Sequence, residues 1–320
     1  MYKSFLSSYL DAYIQYRNAS GRGNATDDYI LKVFDNFCFV NYPDAKELSD
    51  EIIKVWTKKR ETELNKSWND RVRPVRSFIK YLNDRKLADI KFPDVLKPEK
   101  TNYIPHFFTE SELKSFFNAC DSIELTRNTL GLKLKKITVP VLFRLLYSSG
   151  IRTTEARFLT RKNVDYIRGV LNIEKSKGYD QHYVALDNSI LALLKQYDEI
   201  AQKLKPNRLY FFENENGTYY SDAWLSRVFR ESWIKANNNV EAVAYDLRHN
   251  YAIENINRWQ GDNIEFDKQL FYLSKSMGHR CLKSTLYYYS ITPRLAEKIK
   301  NKTEKGFNEI FSEVKYEEKE

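Results

Sequence analysis

Apolar residues recur every three or four positions through most of the first hundred residues, and that period leaves room for little but helices. Ile30, Val33, Phe34 and Phe37 make one such stripe, and Val72, Val75, Phe78, Ile79 and Leu82 make another. The spacing predicts helices over 2–19, 27–40, 49–64 and 68–82, the last despite Pro74, with the breaker Gly21-Arg22-Gly23 after the first. The stretch Lys97-Pro98-Glu99-Lys100-Thr101-Asn102-Tyr103-Ile104-Pro105 is polar with two prolines and reads as a linker. The expected organisation is a helical domain over 1–98, a linker over 99–107, a second domain over 108–303 and a tail over 304–320. Glu and Lys alternate in that tail around Phe307, Ile310, Phe311 and Val314, which suits a short docking segment.

The second domain mixes periods. Thr109-x-x-Glu112 is a capping box opening a helix over Glu110–Cys120. A buried helix is expected over Val139–Ser148, closed by Gly150, and a short one from Thr153. Val170–Glu174 and His182–Leu186 read as the strands of a hairpin around Ser176-Lys177-Gly178-Tyr179-Asp180. Asp187 caps a helix through Tyr197, Leu209–Phe212 suits a strand, and helices follow near 221–236, 246–258, 266–276, 281–290 and 293–303. The fold class is mainly α with a small β-hairpin or sheet.

Composition narrows the function. The chain is 42% hydrophobic and 15% aromatic, enough to bury a core. No apolar run approaches the ~18–20 residues that span a bilayer, and the N-terminal residues carry no secretory signature, so no membrane partner and a cytoplasmic location are expected. The 52 Lys and Arg exceed the 43 Asp and Glu, a net charge of +9 that fits a polyanionic partner. Residues 51–100 hold 14 basic against 8 acidic side chains. Arg71, Arg73, Arg76 and Lys80, with Arg85 and Lys86, are candidates for binding phosphates, although a solvated helix face reads the same way. Cys38, Cys120 and Cys281 lie far apart, as free thiols in a reducing compartment do, and the four histidines lack zinc spacing. There is no phosphate-binding Gly-x-x-x-x-Gly-Lys-Ser/Thr loop, hence no sign of ATP use. No metal or cofactor is called for.

Three stretches stand out in order: Gly150-Ile151-Arg152-Thr153-Thr154-Glu155, then Tyr245-Asp246-Leu247-Arg248-His249, then Gly278-His279 with Thr285-Leu286-Tyr287-Tyr288-Tyr289. Jointly they resemble the tyrosine recombinase (phage integrase) family. The resemblance implies a helical core-DNA-binding domain and a catalytic domain closing on duplex DNA as a C-shaped clamp. It implies Arg152 and Arg248 as the two catalytic arginines and Glu155 as the acidic companion of the first. It further implies Lys177 as the hairpin lysine, His279 as the histidine after glycine and Tyr288 as the nucleophile. Where the family usually has a further histidine, two residues before the Leu of Leu-Arg-His, this chain has Tyr245. A phenol can donate to an oxyanion but is a poor base at neutral pH. His249 is then expected to support the helix or buttress the site.

The chemistry suits those residue types. Paired guanidiniums clamp the non-bridging oxygens of a phosphodiester. Bringing a phenol from ~10 to ~7 needs about 4 kcal/mol, which two nearby cations can supply. Lys177 would protonate the leaving 5′-hydroxyl, and the 3′-phosphotyrosyl bond would conserve the energy needed for rejoining. The resemblance also implies a homotetramer working through a Holliday junction, with directionality or accessory proteins as further partners. Integration or excision of a mobile element is the preferred role, with resolvase or chromosome-dimer resolution as the alternative. A relaxing enzyme of topoisomerase IB type and a non-catalytic DNA-binding regulator are the rivals.

Overall fold

The computed structural model describes residues 2–99, 105–174, 181–238, 242–259, 266–279 and 281–290, without the side chains of Phe266, Tyr289 and Ser290. The chain divides into two compact units, Met1–Tyr103 and Ile104–Glu320.

The first unit holds α1 (Ser7–Ala19), α2 (Ala25–Asn41), α3 (Asp50–Trp56) and α4 (Asn65–Asp84). Their apolar faces meet in one core that includes Leu10, Leu31, Phe34, Val75, Phe78 and Ile79. Helix α1 starts later than its apolar spacing predicts. The backbone N–H groups of Lys3 and Ser4 donate to the Asp35 carboxylate on α2, which fastens the segment ahead of α1. Helix α3 ends at Trp56, well short of Leu64. The Trp56 carbonyl accepts from Arg71 Nη1, and the Thr57 carbonyl accepts from Trp68 Nε1 at 2.7 Å. Carbonyls that would have carried the helix onward are thus taken by α4 side chains. After α4 the chain returns along the same helix. Asn83 exchanges two hydrogen bonds with the Ile90 backbone and Asn69 two with that of Leu96, while Asn65 Nδ2 donates to the Lys97 carbonyl. Residues before the proline stretch are therefore fastened to the first unit.

The second unit contains α5 (Glu110–Asp121), α6 (Leu130–Ser149), α7 (Thr153–Phe158), α8 (Asn188–Leu204), α9 (Asp222–Asn237), α10 (Asp246–Trp259), α11 (Phe266–Ser276) and α12 (Lys283–Ser290). The capping box of α5 forms: Thr109 Oγ1 accepts from the Glu112 N–H, and Glu112 Oε2 accepts from the Thr109 N–H. Helix α6 begins at Leu130, nine residues before the expected start. Thr129 caps it, and its lysine-rich first half lacks the dense apolar pattern of its second. Strands β1 (Val164–Asp165), β2 (Val170–Ile173) and β3 (His182–Ala185) form an antiparallel sheet in the order β1-β2-β3, with Leu171 opposite Val184 and Ile173 opposite His182. Strand β1 has no signature of its own at two residues. Leu209–Phe212 is not a strand; it is sewn to 159–161 by the Phe211 N–H on the Leu159 carbonyl and the Arg161 N–H on the Leu209 carbonyl. The hairpin turn with Lys177, the helix near 293–303 and the tail 304–320 lie outside the described residues.

Most of this unit's helices and the sheet share one core. A second, small cluster lies among α10, α11 and α12, where Ala252, Ile253, Ile256, Leu273 and Met277 pack with Tyr288. That cluster sets where the pocket residues sit.

Candidate active site

Helix α6 ends at Gly150, whose φ of 63° is left-handed and whose Cα lies under the Tyr251 ring, so neither the conformation nor the space admits a side chain. The turn that follows presents Arg152 at the start of α7. Glu155, 1% exposed, receives the Arg152 N–H at 2.8 Å and Arg152 Nη1 at 2.5 Å. Arg152 Nη2 donates to the Gly278 carbonyl at 2.8 Å. One carboxylate and one carbonyl thus fix the guanidinium from two sides.

Arg248 sits in the first turn of α10 and is 2% exposed. Its Nη1 donates to the Gly150 carbonyl at 2.5 Å, and its Nη2 to the Met277 carbonyl at 2.7 Å. It therefore ties the end of α6 to the turn after α11. Nη2 also lies 3.0 Å from His279 Nε2. A guanidinium can only donate, so Nε2 accepts, and the ring proton on Nδ1 goes to Thr285 Oγ1 at 2.7 Å. Burial, then Arg248 and Arg152, hold His279 far below the ordinary imidazole range, at about 3. His279 is therefore neutral at pH 7.

Tyr288, on α12, is 4% exposed and packs its ring parallel to His279, with centroids 6.0 Å apart, and against His249 at 5.4 Å. Its phenol is raised above the ordinary value by burial, against the charge of Arg248 and a hydrogen bond from it. The expectation of a phenol lowered by two cations is not met in the protein alone, because desolvation outweighs the charge of Arg248. Tyr287 is 42% exposed, its ring edge-on to Tyr288 at 5.6 Å. Tyr245 is 39% exposed in the turn before α10, with its ring 5.0 Å from that of His249.

The structure brings Arg152, Glu155, Arg248, His279 and Tyr288 into one pocket and places Tyr245 at its edge. Lys177 is outside the described residues. His182, which the sequence marks only by its unsuitability for zinc, packs on Gly278: a Cβ there would meet its ring at 2.6 Å. Its place at the head of β3 was the one available signal. Among the described residues no group of three or more His, Cys, Asp or Glu side chains could hold a metal ion, and no helix is long and apolar enough to cross a membrane.

The basic residues of the first unit are not one surface. Arg71 needs correction: it is 8% exposed and spends its guanidinium on the Glu63 carboxylate, at 2.8 and 2.9 Å, and on the Trp56 and Lys58 carbonyls. Arg76, half-buried, donates to the Pro93 carbonyl and lies over the Phe92 ring. Lys80 is exposed and pairs with Asp84 at 3.0 Å, and Arg73 is exposed.

A largely helical unit gathers two guanidiniums, an imidazole and a buried phenol around one pocket, groups suited to holding an anion and to nucleophilic attack. The chain belongs to the phage integrase family, whose model matches residues 106–294. It is of the tyrosine recombinase type, a class that breaks and rejoins DNA strands. Over 292 residues it is 24% identical to the putative integrase/recombinase y4rB of Sinorhizobium fredii, spanning 87% of this chain and 90% of that one. Over 231 residues it is 24% identical to tyrosine recombinase XerC of Staphylococcus saprophyticus, spanning 72% of each. A lambda integrase tetramer bound to a Holliday junction matches with a TM-score of 0.56 at 15% identity, over 86% of this chain and 77% of that one, a likeness of fold.

Proposed function

We propose that Tyr288 attacks the scissile phosphodiester and becomes joined to the DNA 3′ end. Arg152 and Arg248 clamp the non-bridging oxygens, with Glu155 positioning Arg152. His279 adds a hydrogen bond in its other neutral tautomer, with the ring proton on Nε2 and Nδ1 accepting from the Thr285 hydroxyl, and Tyr245 offers a phenolic one at the rim. Lys177 protonates the leaving 5′ oxygen. Rejoining reverses the step with a 5′-hydroxyl from a second strand, so bond energy is conserved without ATP. The observation that carries this reading is the Tyr288 phenol beside Arg248, in a pocket that Arg152 reaches through the Gly278 carbonyl.

In this reading four copies join two duplexes and pass through a Holliday junction, and the lambda integrase tetramer bound to such a junction supports it. Exposed Arg73 and Lys80 contribute phosphate contacts from the first unit. The role is integration or excision of a mobile element, acting on DNA at the nucleoid with directionality or accessory proteins. The XerC relative favours chromosome-dimer resolution as a second reading.

The test is incubation with a pool of nicked duplexes cut from DNA flanking the coding sequence, followed by denaturing electrophoresis. A protein–DNA adduct that disappears in Tyr288→Phe is expected. An adduct retained in Tyr288→Phe overturns the assignment. Exchange between two marked duplexes separates a recombinase from a relaxing enzyme. Sequencing the joints separates mobile-element ends from a chromosomal resolution site.

A further inference from the structure

Attack by Tyr288 requires its phenol to lose a proton in a pocket whose burial makes that loss harder. The described groups that face it differ sharply in what they can accept. Arg248 is permanently charged and only donates. His279 has both nitrogens engaged, Nε2 by Arg248 at 3.0 Å and Nδ1 by Thr285 at 2.7 Å. Taking a proton would break the first of these bonds and set an imidazolium between two guanidiniums. Tyr245 and Tyr287 carry hydroxyls, suited to donating a hydrogen bond to an oxyanion.

His249 is the other imidazole packed against Tyr288 among the described residues. It is 8% exposed, with its ring centroid 5.4 Å from that of Tyr288 and 5.0 Å from that of Tyr245. We infer that His249 accepts the Tyr288 proton as the phenolic oxygen attacks phosphorus. This rests on the reading of Tyr288 as nucleophile. It gives His249 a chemical task in place of the buttressing role expected from sequence, and it supplies a base where Tyr245 is unsuited.

The step balances. The proton passes from Tyr288 Oη to an imidazole nitrogen of His249, the Oη–P bond forms, the P–O5′ bond breaks, and O5′ leaves with a proton from a separate donor. Religation returns the His249 proton to Tyr288. The electrostatics are compatible. Among the described residues, the charged and titratable groups around His249 include Asp246 and Arg248 on its own helix, Tyr245 in the turn before it and Tyr288 from α12. Burial and Arg248 push its pKa down, so the ring is neutral and able to accept near pH 7, while the Asp246 carboxylate favours the protonated form. A phosphodiester drawn onto Arg248 offsets the repulsion that guanidinium exerts on an imidazolium.

The test uses the full chain and a nicked duplex to which the wild-type protein attaches. The duplex is made with an ordinary phosphate and with a 5′-bridging phosphorothiolate, whose sulfur leaves without needing a proton. His249→Gln is expected to form adduct about 10²-fold more slowly at pH 7 on both duplexes, with unchanged DNA affinity, since general base removal costs that order. Imidazole in the buffer is expected to restore part of the rate to His249→Ala. The acid limb of the wild-type rate, below the ordinary imidazole range, disappears in the variant. A wild-type rate and pH profile in His249→Gln overturns the inference. So does a defect cured by the phosphorothiolate, which would place the residue at the leaving group. Should both variants unfold, the wild-type profile on the phosphorothiolate decides: no acid limb at all excludes an imidazole base. No wild-type adduct on any duplex is the distinct failure of the underlying reading.

Discussion

Arg152 reaches across 126 positions of sequence to place Nη2 2.8 Å from the Gly278 carbonyl oxygen, while its Nη1 stays 2.5 Å from Glu155. The residue immediately after Gly278 is His279, so one guanidinium sets both its own place and that of the histidine turn. Glu155 is the weak point of the arrangement. Glu155→Ala strands a largely buried guanidinium, and breaking such a pair costs about 3 kcal/mol or more. The expected result is a melting temperature several degrees lower and an adduct yield reduced at least tenfold, read by calorimetry and denaturing electrophoresis. An unchanged yield would show that Arg152 is held in place without Glu155.

Stability should fall with acid, with His279 as one named cause. Its pKa is about 3 in the folded protein, against ~6.5 in the unfolded chain. Above pH ~6.5 neither state binds the proton and the histidine's contribution is complete. As the pH drops from there towards 3, the unfolded chain takes up a proton that the native state refuses, and stability is lost. His249 is shifted in the same direction. Melting temperature followed from pH 8 to pH 5 should decline, and the decline should be shallower in His279→Asn. An equal slope in the variant rejects His279 as a contributor.

Gly150 and Gly278 both have left-handed backbone, at φ 63° and 60°. Alanine at either costs about 1–2 kcal/mol from conformation alone, before the Tyr251 ring at 150 or the His182 ring at 278 is displaced. Each substitution should lower the melting temperature and the adduct rate together, because each site carries a carbonyl that holds a catalytic-pocket arginine. Adding His182→Ala should recover part of the loss in Gly278→Ala and none in Gly150→Ala. Recovery in both would mean that His182 acts by a route other than contact with Gly278.

How much of this was readable beforehand depended on the range of the interactions. The α5 start was legible because Thr109 and Glu112 satisfy each other within one turn, and β2 and β3 because their alternation is local. The pocket residues were legible through resemblance, since no single stretch carries more than part of it. The early stop of α3 was not, because it depends on Arg71 and Trp68 bonding carbonyls 15 and 11 residues away. The raised Tyr288 phenol was missed for a related reason. Counting cations finds Arg248, but the burial that outweighs it comes from Ile253, Ile256, Leu273 and Met277, which only the packing of three helices brings together.

The inward turn of Arg71 makes the last prediction a contrast between neighbours on α4. Arg71 and Glu63 side chains are 9% and 8% exposed at 2.8 Å, and hydrogen bonding to Arg71 lowers the Glu63 carboxyl below its usual range. Arg71→Ala should therefore destabilise the first unit by about 3 kcal/mol, seen as a lower melting temperature with DNA present or absent. Arg73 and Lys80 are exposed, and their replacement by alanine should leave melting unchanged within about 0.5 kcal/mol. If they meet phosphates, each replacement weakens duplex binding and reduces the slope of log affinity against log salt by about 1. A salt slope that stays at the wild-type value in Arg73→Ala and Lys80→Ala would remove both from the DNA-facing surface. A reduced slope in a fully stable Arg71→Ala would restore Arg71 to it.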